Sequence, residues 1–316
     1  MRAGAELILH LAAVLHAPAS RPPPPTANAV DARPRRGRDG DSPDLLQSGE
    51  ASLTPLERLQ VKLVRATLRP GPLDQTIRVC QKTLGQWWIR AVTARLRHVY
   101  GIGRLPPWDP AGSMILVANH RSLFDLYVTT AELVSRGLPQ RILFPVRSNF
   151  FYDHPLGPAV NGVASFFAMY PPIFRDRKRA ALNLASLDEL ASLLRRGGFF
   201  VGIHPEGTRN KGDDPYRLLP AQSGVGRVIH KAQVPVIPVF VNGLGNQFAR
   251  QLRAGLTGDG DRIHLVFGGP IGFGELLTAP GGPRTYKRIA ERCVEAIGDL
   301  AQEEKAIRAA GIGASR

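Results

Sequence analysis

From Ser113 onward the chain alternates short apolar runs with longer amphipathic segments, and this alternation restricts its possible folds more than any other feature. The short runs SMILVA, RILFPV, VASFFAM, GGFFVGI, VPVIPVFV and RIHLVFG have the length and apolar content of strands. The longer segments SLFDLYVTTAELVS, RAALNLASLDELASLLRR and YKRIAERCVEAIGDLAQEEKAIR repeat apolar residues at helical spacing. Strands that alternate with helices predict an α/β fold, in which a mixed sheet is layered with helices.

The first 52 residues differ in composition from the rest of the chain. Their stretch RPPPPTANAVDARPRRGRDGDSPD is rich in proline, arginine and aspartate, and it buries too little apolar surface to offset the entropy lost on ordering. The chain begins with an apolar run that resembles a secretory signal, but Glu6, His10 and His16 argue against one. We therefore expect residues 1–52 to form a disordered tail.

Two amphipathic helices are predicted between this tail and the first strand-like run. Thr54, Pro55 and Glu57 form the pattern of a helix N-terminus, with a cap residue, a proline in the first turn and a capping-box glutamate. The second helix, within LDQTIRVCQKTLGQWWIRAVTARLR, has an apolar face with adjacent tryptophans and a basic face. This pattern fits a helix in a membrane interface and a helix on a protein core equally well. No segment is a convincing transmembrane span.

The net charge of +15 restricts the class of partner. The first 50 residues carry six arginines and six acidic residues, so the excess positive charge belongs to the rest of the chain. A basic folded part points to nucleic acid, an anionic membrane surface or an anionic substrate. The two cysteines, Cys80 and Cys293, show neither disulfide nor metal-ligand spacing, which indicates a reducing compartment such as the cytosol.

The stretch VANHRSLFD places His120 in the turn between a predicted strand and a predicted helix, with Asp125 five positions later. A carboxylate beside one ring nitrogen fixes the tautomer of a histidine and stabilises its protonated form, so that the other nitrogen acts as a general base. Ser122 and Asp125 also fit a capping box, in which the aspartate has a structural role. The nonapeptide alone leaves both interpretations open.

Three further segments follow this one along the chain: IFRDR, IHPEGTRN and VPVIPV. Together with NHRSLFD they resemble the four ordered sequence blocks of the glycerolipid acyltransferase superfamily, which includes glycerol-3-phosphate and lysophosphatidic acid acyltransferases. The resemblance extends from about Leu56 to Ile271. A single His-x4-Asp spacing is weak evidence of function, whereas four blocks in the expected order are strong evidence.

The resemblance implies roles for seven residues. His120 would be the general base, Asp125 would orient it, and Arg177 would contact the phosphate of an acceptor lipid. The residues of the Pro-Glu-Gly-Thr-Arg block that would bind the backbone and phosphate of that acceptor are Glu206, Gly207, Thr208 and Arg209.

The activity that the resemblance implies is transfer of a fatty acyl group from acyl-CoA or acyl-carrier protein to the free hydroxyl of a lysophospholipid. The first expectation is that 1-acylglycerol-3-phosphate is converted to phosphatidic acid. The thioester is a co-substrate, and no cofactor or metal is expected. Because this family docks on membranes through an N-terminal helical pair, we expect residues 53–98 to dock on an anionic membrane surface. Residues 99–310 would form the acyltransferase domain, at the cytoplasmic face of a membrane.

The chain departs from the family pattern at four positions near the expected headgroup site: Pro171, His204, Asn210 and Gln222. His204 stands where phenylalanine is usual, so that it either fills an aromatic slot or acts as a second acid/base group. Because of these departures, another lipid acceptor is an alternative. A lipid-binding protein without turnover is a further alternative, which would require the His120 and Asp125 pair to be merely structural. A nucleic-acid partner is not expected, because charge is its only support and no recognition motif accompanies it.

Overall fold

A seven-stranded mixed sheet forms the centre of the fold in the computed structural model, which describes residues 45–48, 52–148, 152, 161–162, 165–174, 176–245 and 248–311. The strands are β1 (Arg97–Tyr100), β2 (Met114–Ala118), β3 (Arg141–Arg147), β4 (Met169–Ile173), β5 (Phe199–Ile203), β6 (Val236–Asn242) and β7 (Ile263–Phe267). Their order across the sheet is β1-β7-β6-β2-β5-β3-β4. Neighbouring strands are parallel except β6 and β7, which are antiparallel. The predicted α/β fold with a mixed sheet is confirmed.

Helices cover both faces of this sheet. They are α1 (Leu45–Ser48), α2 (Pro55–Thr67), α3 (Pro72–Lys82), α4 (Leu84–Thr93), α5 (Asp125–Ser135), α6 (Ala180–Arg196), α7 (Ser223–Ala232), α8 (Phe248–Thr257) and α9 (Pro283–Ala309). One core contains side chains of α2, α6, α7 and α9, and the other contains side chains of α4 and α5. Alternate residues of β2 enter the two cores: Ile115 and Val117 enter the first, and Leu116 and Ala118 the second. A strand that is buried on both faces has no polar face, which explains the unbroken apolar runs in the sequence.

The predicted tail, residues 1–52, lies outside the described residues apart from residue 52 and the short helix α1. Leu45, the first residue of α1, is fully buried in the same core as α2 and α6. The remainder of the tail prediction stays a prediction.

The predicted helix start at Thr54 is confirmed. The hydroxyl Oγ1 of Thr54 accepts a hydrogen bond from the backbone N–H of Glu57 at 3.2 Å. The carboxylate of Glu57 in turn accepts one from the backbone N–H of Thr54 at 2.7 Å, which completes the capping box. The same carboxylate pairs with Arg179 at 2.6 Å, so that the cap also links α2 to the turn before α6.

The predicted second helix is interrupted. It divides at Thr83 into α3 and α4, and the arginine at its predicted end, Arg97, begins strand β1 instead. The hydroxyl of Thr83 donates a hydrogen bond to the carbonyl of Val79 at 2.8 Å. Threonine hydroxyls compete in this way with the helical hydrogen bonds of the backbone, and Thr83 has a non-helical ψ of -85°.

The strand predicted within VASFFAM is displaced along the chain. The observed strand β4 begins only at Met169, and Phe166 and Phe167 before it have left-handed φ angles of 48° and 57° that do not fit a strand. Two prolines, Pro171 and Pro172, lie within β4. An edge strand tolerates proline because one of its sides needs no ladder hydrogen bonds, and β4 lies at the edge of the sheet.

Exposed apolar side chains concentrate on the N-terminal helices. Six of the nine large hydrophobic side chains that are exposed in the described part of the chain lie on α2, α3 and α4. We refer to these six as the N-terminal apolar patch: Leu59, Leu63, Leu73, Val79, Leu84 and Trp87. None of the helices among the described residues has both the length and the hydropathy needed to cross a membrane.

Candidate active site

The carboxyl ends of the parallel strands meet at one edge of the sheet, and the predicted site residues follow them. His120 comes two residues after β2, and Glu206 to Arg209 follow β5, which pairs directly with β2. Arg147 ends β3, the next strand across the sheet. Open α/β sheets bind their ligands at this edge, so strand order brings distant parts of the sequence to one place.

His120 and Asp125 lie side by side, as the His-x4-Asp spacing predicts. The ring nitrogen Nδ1 of His120 is 3.4 Å from the carboxylate oxygen Oδ2 of Asp125. The histidine side chain is 19% exposed, whereas the aspartate is 1% exposed. With Nδ1 facing the carboxylate, Nε2 is the ring nitrogen available to a substrate.

Asp125 also organises the turn that carries the histidine. Its Oδ2 accepts hydrogen bonds from the backbone N–H groups of Arg121 at 2.8 Å and Ser122 at 2.7 Å. Helix α5 begins at Asp125, three residues later than predicted. The aspartate both holds the backbone of the turn, as in the capping interpretation, and faces the ring of His120, as in the general-base interpretation. Because these two N–H groups donate to Asp125, they are not available to stabilise an oxyanion.

Burial and nearby cations keep His120 uncharged at neutral pH. Burial is the largest cause of its lowered pKa, and the positive charges of Arg209 and Arg147 lower that pKa further. Burial raises the pKa of Asp125, while His204 and two backbone N–H groups oppose the rise. The pair is thus a neutral imidazole beside a carboxylate, which is the state that a general base requires.

His204 lies against the ring of His120. The two imidazoles are stacked, with ring centres 3.8 Å apart and planes 8° from parallel. Donor atoms of both histidines and of Asp125 lie within 4.8 Å of one another. A histidine directs its metal-binding lone pair in the plane of the ring, and two parallel stacked rings have no common in-plane point for one ion. The arrangement fits a stacked pair of rings better than a metal centre.

The carboxylate of Glu206 is directed at the protein backbone. One of its oxygens accepts the N–H of His120 at 2.7 Å, and the other accepts the N–H of Leu219 at 2.7 Å. Its side chain is 3% exposed. Glu206 thus fixes the main chain of the turn that carries His120 to the loop after β5, and its predicted contact with an acceptor stays a prediction.

The other residues of the Pro-Glu-Gly-Thr-Arg block lie at the same edge. Gly207 has a left-handed φ of 64°, and its N–H donates to the carbonyl of His204 at 3.0 Å, so that glycine suits the tight turn. The hydroxyl of Thr208 accepts a hydrogen bond from Arg147 at 2.9 Å. Arg209 lies close enough to His120 to lower its pKa. Two cationic side chains thus lie near the histidine, that of Arg209 from the block and that of Arg147 from the end of β3.

Sequence reasoning did not single out Arg147. The available signal was its position, as the cation that immediately follows the strand-like run RILFPV. Arg177, the predicted phosphate contact, begins the short 3-10 helix Arg177–Arg179 after β4, so that its backbone lies at the same edge of the sheet. Its side chain lies outside the described part of the structure.

Asn119 is a second residue that the sequence reasoning left without a role. Its side-chain amide donates to the carbonyl of Val241 at 2.9 Å, and its side-chain oxygen accepts the N–H of the same residue at 2.7 Å. This pair of bonds fixes the end of β2 to β6 immediately before His120. The backbone carbonyl of His120 is held in turn by the N–H of Asn210 at 2.7 Å.

Comparison with known proteins shows which sequences this chain is similar to. Residues 97–242 match the family model described as acyltransferase. The human 1-acyl-sn-glycerol-3-phosphate acyltransferase beta is 28% identical over 158 residues, which are 48% of this chain and 50% of that protein. The bovine 1-acyl-sn-glycerol-3-phosphate acyltransferase alpha is 27% identical over 179 residues, which are 54% of this chain and 55% of that protein.

The crystal structure of the 1-acyl-sn-glycerophosphate acyltransferase PlsC from Thermotoga maritima has a TM-score of 0.48 and 18% identity, and the match covers 78% of this chain and 89% of that chain. The present chain spans about half the length of the curated relatives that it matches. The matched segment, residues 97–242, contains the His120 and Asp125 pair and the whole Pro-Glu-Gly-Thr-Arg block. The chain therefore contains a segment that matches the acyltransferase family model and is similar to 1-acyl-sn-glycerol-3-phosphate acyltransferases.

Proposed function

We propose that this protein transfers a fatty acyl group from a thioester to the free hydroxyl of a lysophospholipid. The proposed acceptor is 1-acylglycerol-3-phosphate, the product is phosphatidic acid, and the donor is acyl-CoA or acyl-carrier protein. The observation that carries the proposal is a neutral His120 beside the buried carboxylate of Asp125, at the carboxyl edge of parallel strands. The relatives named for this acceptor support the choice of lipid.

The proposed reaction uses His120 as the general base. A hydroxyl has too high a pKa to attack a thioester efficiently at neutral pH, so Nε2 of His120 takes its proton while the oxygen attacks the carbonyl carbon. The carbon–sulfur bond then breaks, and the proton passes from His120 to the departing sulfur, which leaves as a thiol. Asp125 stabilises the positive charge that the ring carries between these two steps.

The cations around the base fit an anionic acceptor. Arg147 and Arg209 lie close enough to His120 to lower its pKa, and guanidinium groups bind phosphate through two parallel hydrogen bonds. A phosphate bound by these arginines would bring the glycerol hydroxyl of the same lipid to the histidine. We propose that Arg177, whose backbone lies at this edge, adds a third cation.

We also propose that the protein works at the cytoplasmic face of a membrane, as a peripheral protein. The N-terminal apolar patch exposes a tryptophan and leucines on helices that also carry arginines and lysines. Tryptophan favours the headgroup region of a bilayer, and basic side chains favour anionic lipids. Docking of this kind would bring the active site to acceptors that reside in the membrane.

The function is tested by following release of free thiol from a long-chain acyl-CoA with and without 1-acylglycerol-3-phosphate. The expected result is release that depends on the acceptor, together with formation of phosphatidic acid. If this pair is inert, other lysophospholipids and an acyl-carrier protein donor are tested next. Activity with one of those pairs would replace the proposed acceptor or donor, and inertness with all of them would favour a lipid-binding protein without turnover.

The pH profile of kcat/KM tests the state of the base. A base must be unprotonated to act, so activity is lost as the pH falls through the pKa of His120, which burial and two arginines hold below its ordinary value of 6.5. Asp125 must also be ionised, and burial raises its pKa to about 6. We therefore expect a plateau at neutral pH and above, and an acidic limb that begins near pH 6 and steepens as His120 is protonated at lower pH. Replacing Arg147 with glutamine removes one cation, and the limb should move to higher pH by a few tenths of a unit. Arg147→Lys keeps the charge and should keep the limb in place; equal limbs in all three proteins would contradict this assignment.

Binding to lipid vesicles tests the N-terminal apolar patch. The double variant Leu84→Ser/Trp87→Ser removes two side chains that are 62% and 55% exposed, and we expect about tenfold weaker binding to vesicles that contain phosphatidylglycerol. The control is Leu184→Ser, which removes a 48% exposed leucine from α6, a helix that packs on the opposite face of the sheet from α4. Equal losses in the two variants, measured by vesicle sedimentation, would show that this patch is not the docking surface.

A further inference from the structure

The ring of His204 stacks on that of the proposed base, and the proposed reaction gives His204 no role. It follows β5 directly, and its ring lies parallel to that of His120 at a centre-to-centre distance of 3.8 Å. The two residues are 84 positions apart in the chain, so their contact depends on the pairing of β5 with β2. A stacked neighbour at this distance restricts how the catalytic ring can turn.

A hydrogen bond holds the ring of His204 in this position. Its Nδ1 is 3.0 Å from the backbone carbonyl of Ala118, the last residue of β2. A carbonyl oxygen only accepts hydrogen bonds, so Nδ1 of His204 carries the proton. Burial lowers the pKa of His204, so the ring is neutral at neutral pH and Nδ1 carries its one proton. His204 therefore links the end of β5 to the end of β2, immediately before the turn that carries His120.

Asp125 by itself is a weak restraint on the catalytic ring. The 3.4 Å between its Oδ2 and Nδ1 of His120 is longer than a usual hydrogen bond. The same oxygen already accepts two backbone N–H groups at 2.7 Å and 2.8 Å. If the ring of His120 rotated about its bond to the Cβ atom, one ring edge would move toward His204. The stacked ring thus opposes the rotation that the long contact with Asp125 permits.

We propose that His204 is a positioning residue, whose ring, fixed by the carbonyl of Ala118, holds His120 with Nδ1 toward Asp125 and Nε2 toward the acceptor hydroxyl. This inference rests on the proposed function of the same site. His204 does not exchange protons with the substrate in this role. Its effect is on the orientation of the base, and so on kcat more than on binding of the acceptor. Displacement of a catalytic group by about 1 Å costs on the order of 100-fold in rate.

Three variants separate the two contacts of His204. His204→Phe keeps a ring face beside His120 and loses the hydrogen bond to Ala118. His204→Asn places an amide donor near the position of Nδ1 and loses the ring face. His204→Ala loses both. We expect kcat to fall about 100-fold in the alanine variant and about 10-fold in the other two, with KM for the acceptor changed by less than about threefold.

His230 provides a matched control. Its Nε2 is 2.9 Å from the carbonyl of Ala279, and its ring contacts Tyr286, so it has the same two kinds of contact in another part of the molecule. His230→Phe should leave kcat within twofold of wild type. A similar loss of kcat in His230→Phe, an unchanged kcat in folded His204→Ala, or a loss confined to KM would each overturn the proposal.

Nitrogen NMR of the imidazole rings tests the same inference without turnover. In the wild-type protein, we expect both His120 and His204 to carry their proton on Nδ1, with assignments taken from the spectra of His120→Ala and His204→Ala. In His204→Ala, we expect His120 to show a mixture of tautomers. An unchanged Nδ1–H signal of His120 would overturn the positioning role. If wild type is inert with all acceptors, the proposed function fails, and this spectrum still decides whether His204 orients His120.

Discussion

Replacing His120 with alanine is expected to lower kcat for acyl transfer by about 10²- to 10⁴-fold, the range over which a positioned general base contributes to catalysis. The fold should persist, because the bonds that hold this turn use the backbone of residue 120: its N–H donates to Glu206 and its carbonyl accepts from Asn210. The measurement is acceptor-dependent thiol release, with folding followed by circular dichroism. His230→Ala, which removes a histidine outside the site, is the control and should retain wild-type kcat.

The companion variant Asp125→Asn separates structure from catalysis at the second position. An amide oxygen at this position can still accept the N–H groups of Arg121 and Ser122, which hold the turn. The amide carries no charge, however, and so does not stabilise a protonated His120. We expect a folded protein with a strongly reduced kcat. Retention of kcat within tenfold of wild type in His120→Ala would refute the general-base role, whatever Asp125→Asn shows.

The strands that could be predicted from sequence are those that lie inside the sheet. The run SMILVA becomes β2 and GGFFVGI becomes β5, because strands buried on both faces must be apolar throughout. The edge strand β4 was misplaced toward the apolar run before it. Its two prolines argue against a strand unless the strand lies at an edge, and edge position depends on the order of strands in the sheet. That order is set by long-range packing, which short-range patterns do not report.

The same limit applies to the site. His120 and Asp125 were predicted because both lie in one turn, five residues apart, where local spacing determines their contact. The stacking of His204 and the approach of Arg147 arise because β5 and β3 follow β2 across the sheet. The direction of the Glu206 carboxylate depends on two backbone N–H groups, one of them 86 residues away in the chain. Residue identity at a motif position does not show where the side chain points.

Replacing Asp74 with alanine is expected to destabilise the protein by about 3–5 kcal/mol, the usual cost of removing one partner of a buried ion pair. The carboxylate of Asp74, in the first turn of α3, lies 3.0 Å from the guanidinium of Arg141, whose side chain has no exposed surface. Burial lowers the pKa of Arg141 to about 10, and the charge of Asp74 opposes that shift. Without the aspartate, a buried cation at the start of β3 has lost its counter-charge.

A double-mutant cycle identifies the cause of the loss. Adding Arg141→Met to Asp74→Ala removes the uncompensated charge, and it should restore part of the stability although another interaction has been deleted. Glu295→Gln, which breaks an exposed ion pair with Arg292 on α9, should cost no more than about 0.5 kcal/mol. The measurements are urea denaturation and Tm, for which a fall of about 5–10 °C is expected in Asp74→Ala.

The Asp74 and Arg141 pair also connects stability with membrane docking. Helix α3 carries two members of the N-terminal apolar patch, Leu73 and Val79. The ion pair joins this helix to strand β3, which ends at Arg147 in the candidate active site. If the helix is held chiefly by this pair, Asp74→Ala should weaken vesicle binding at temperatures where the sheet is still folded and thiol release is still measurable. Parallel loss of vesicle binding and thiol release on heating would instead show that α3 and the sheet unfold as one cooperative unit.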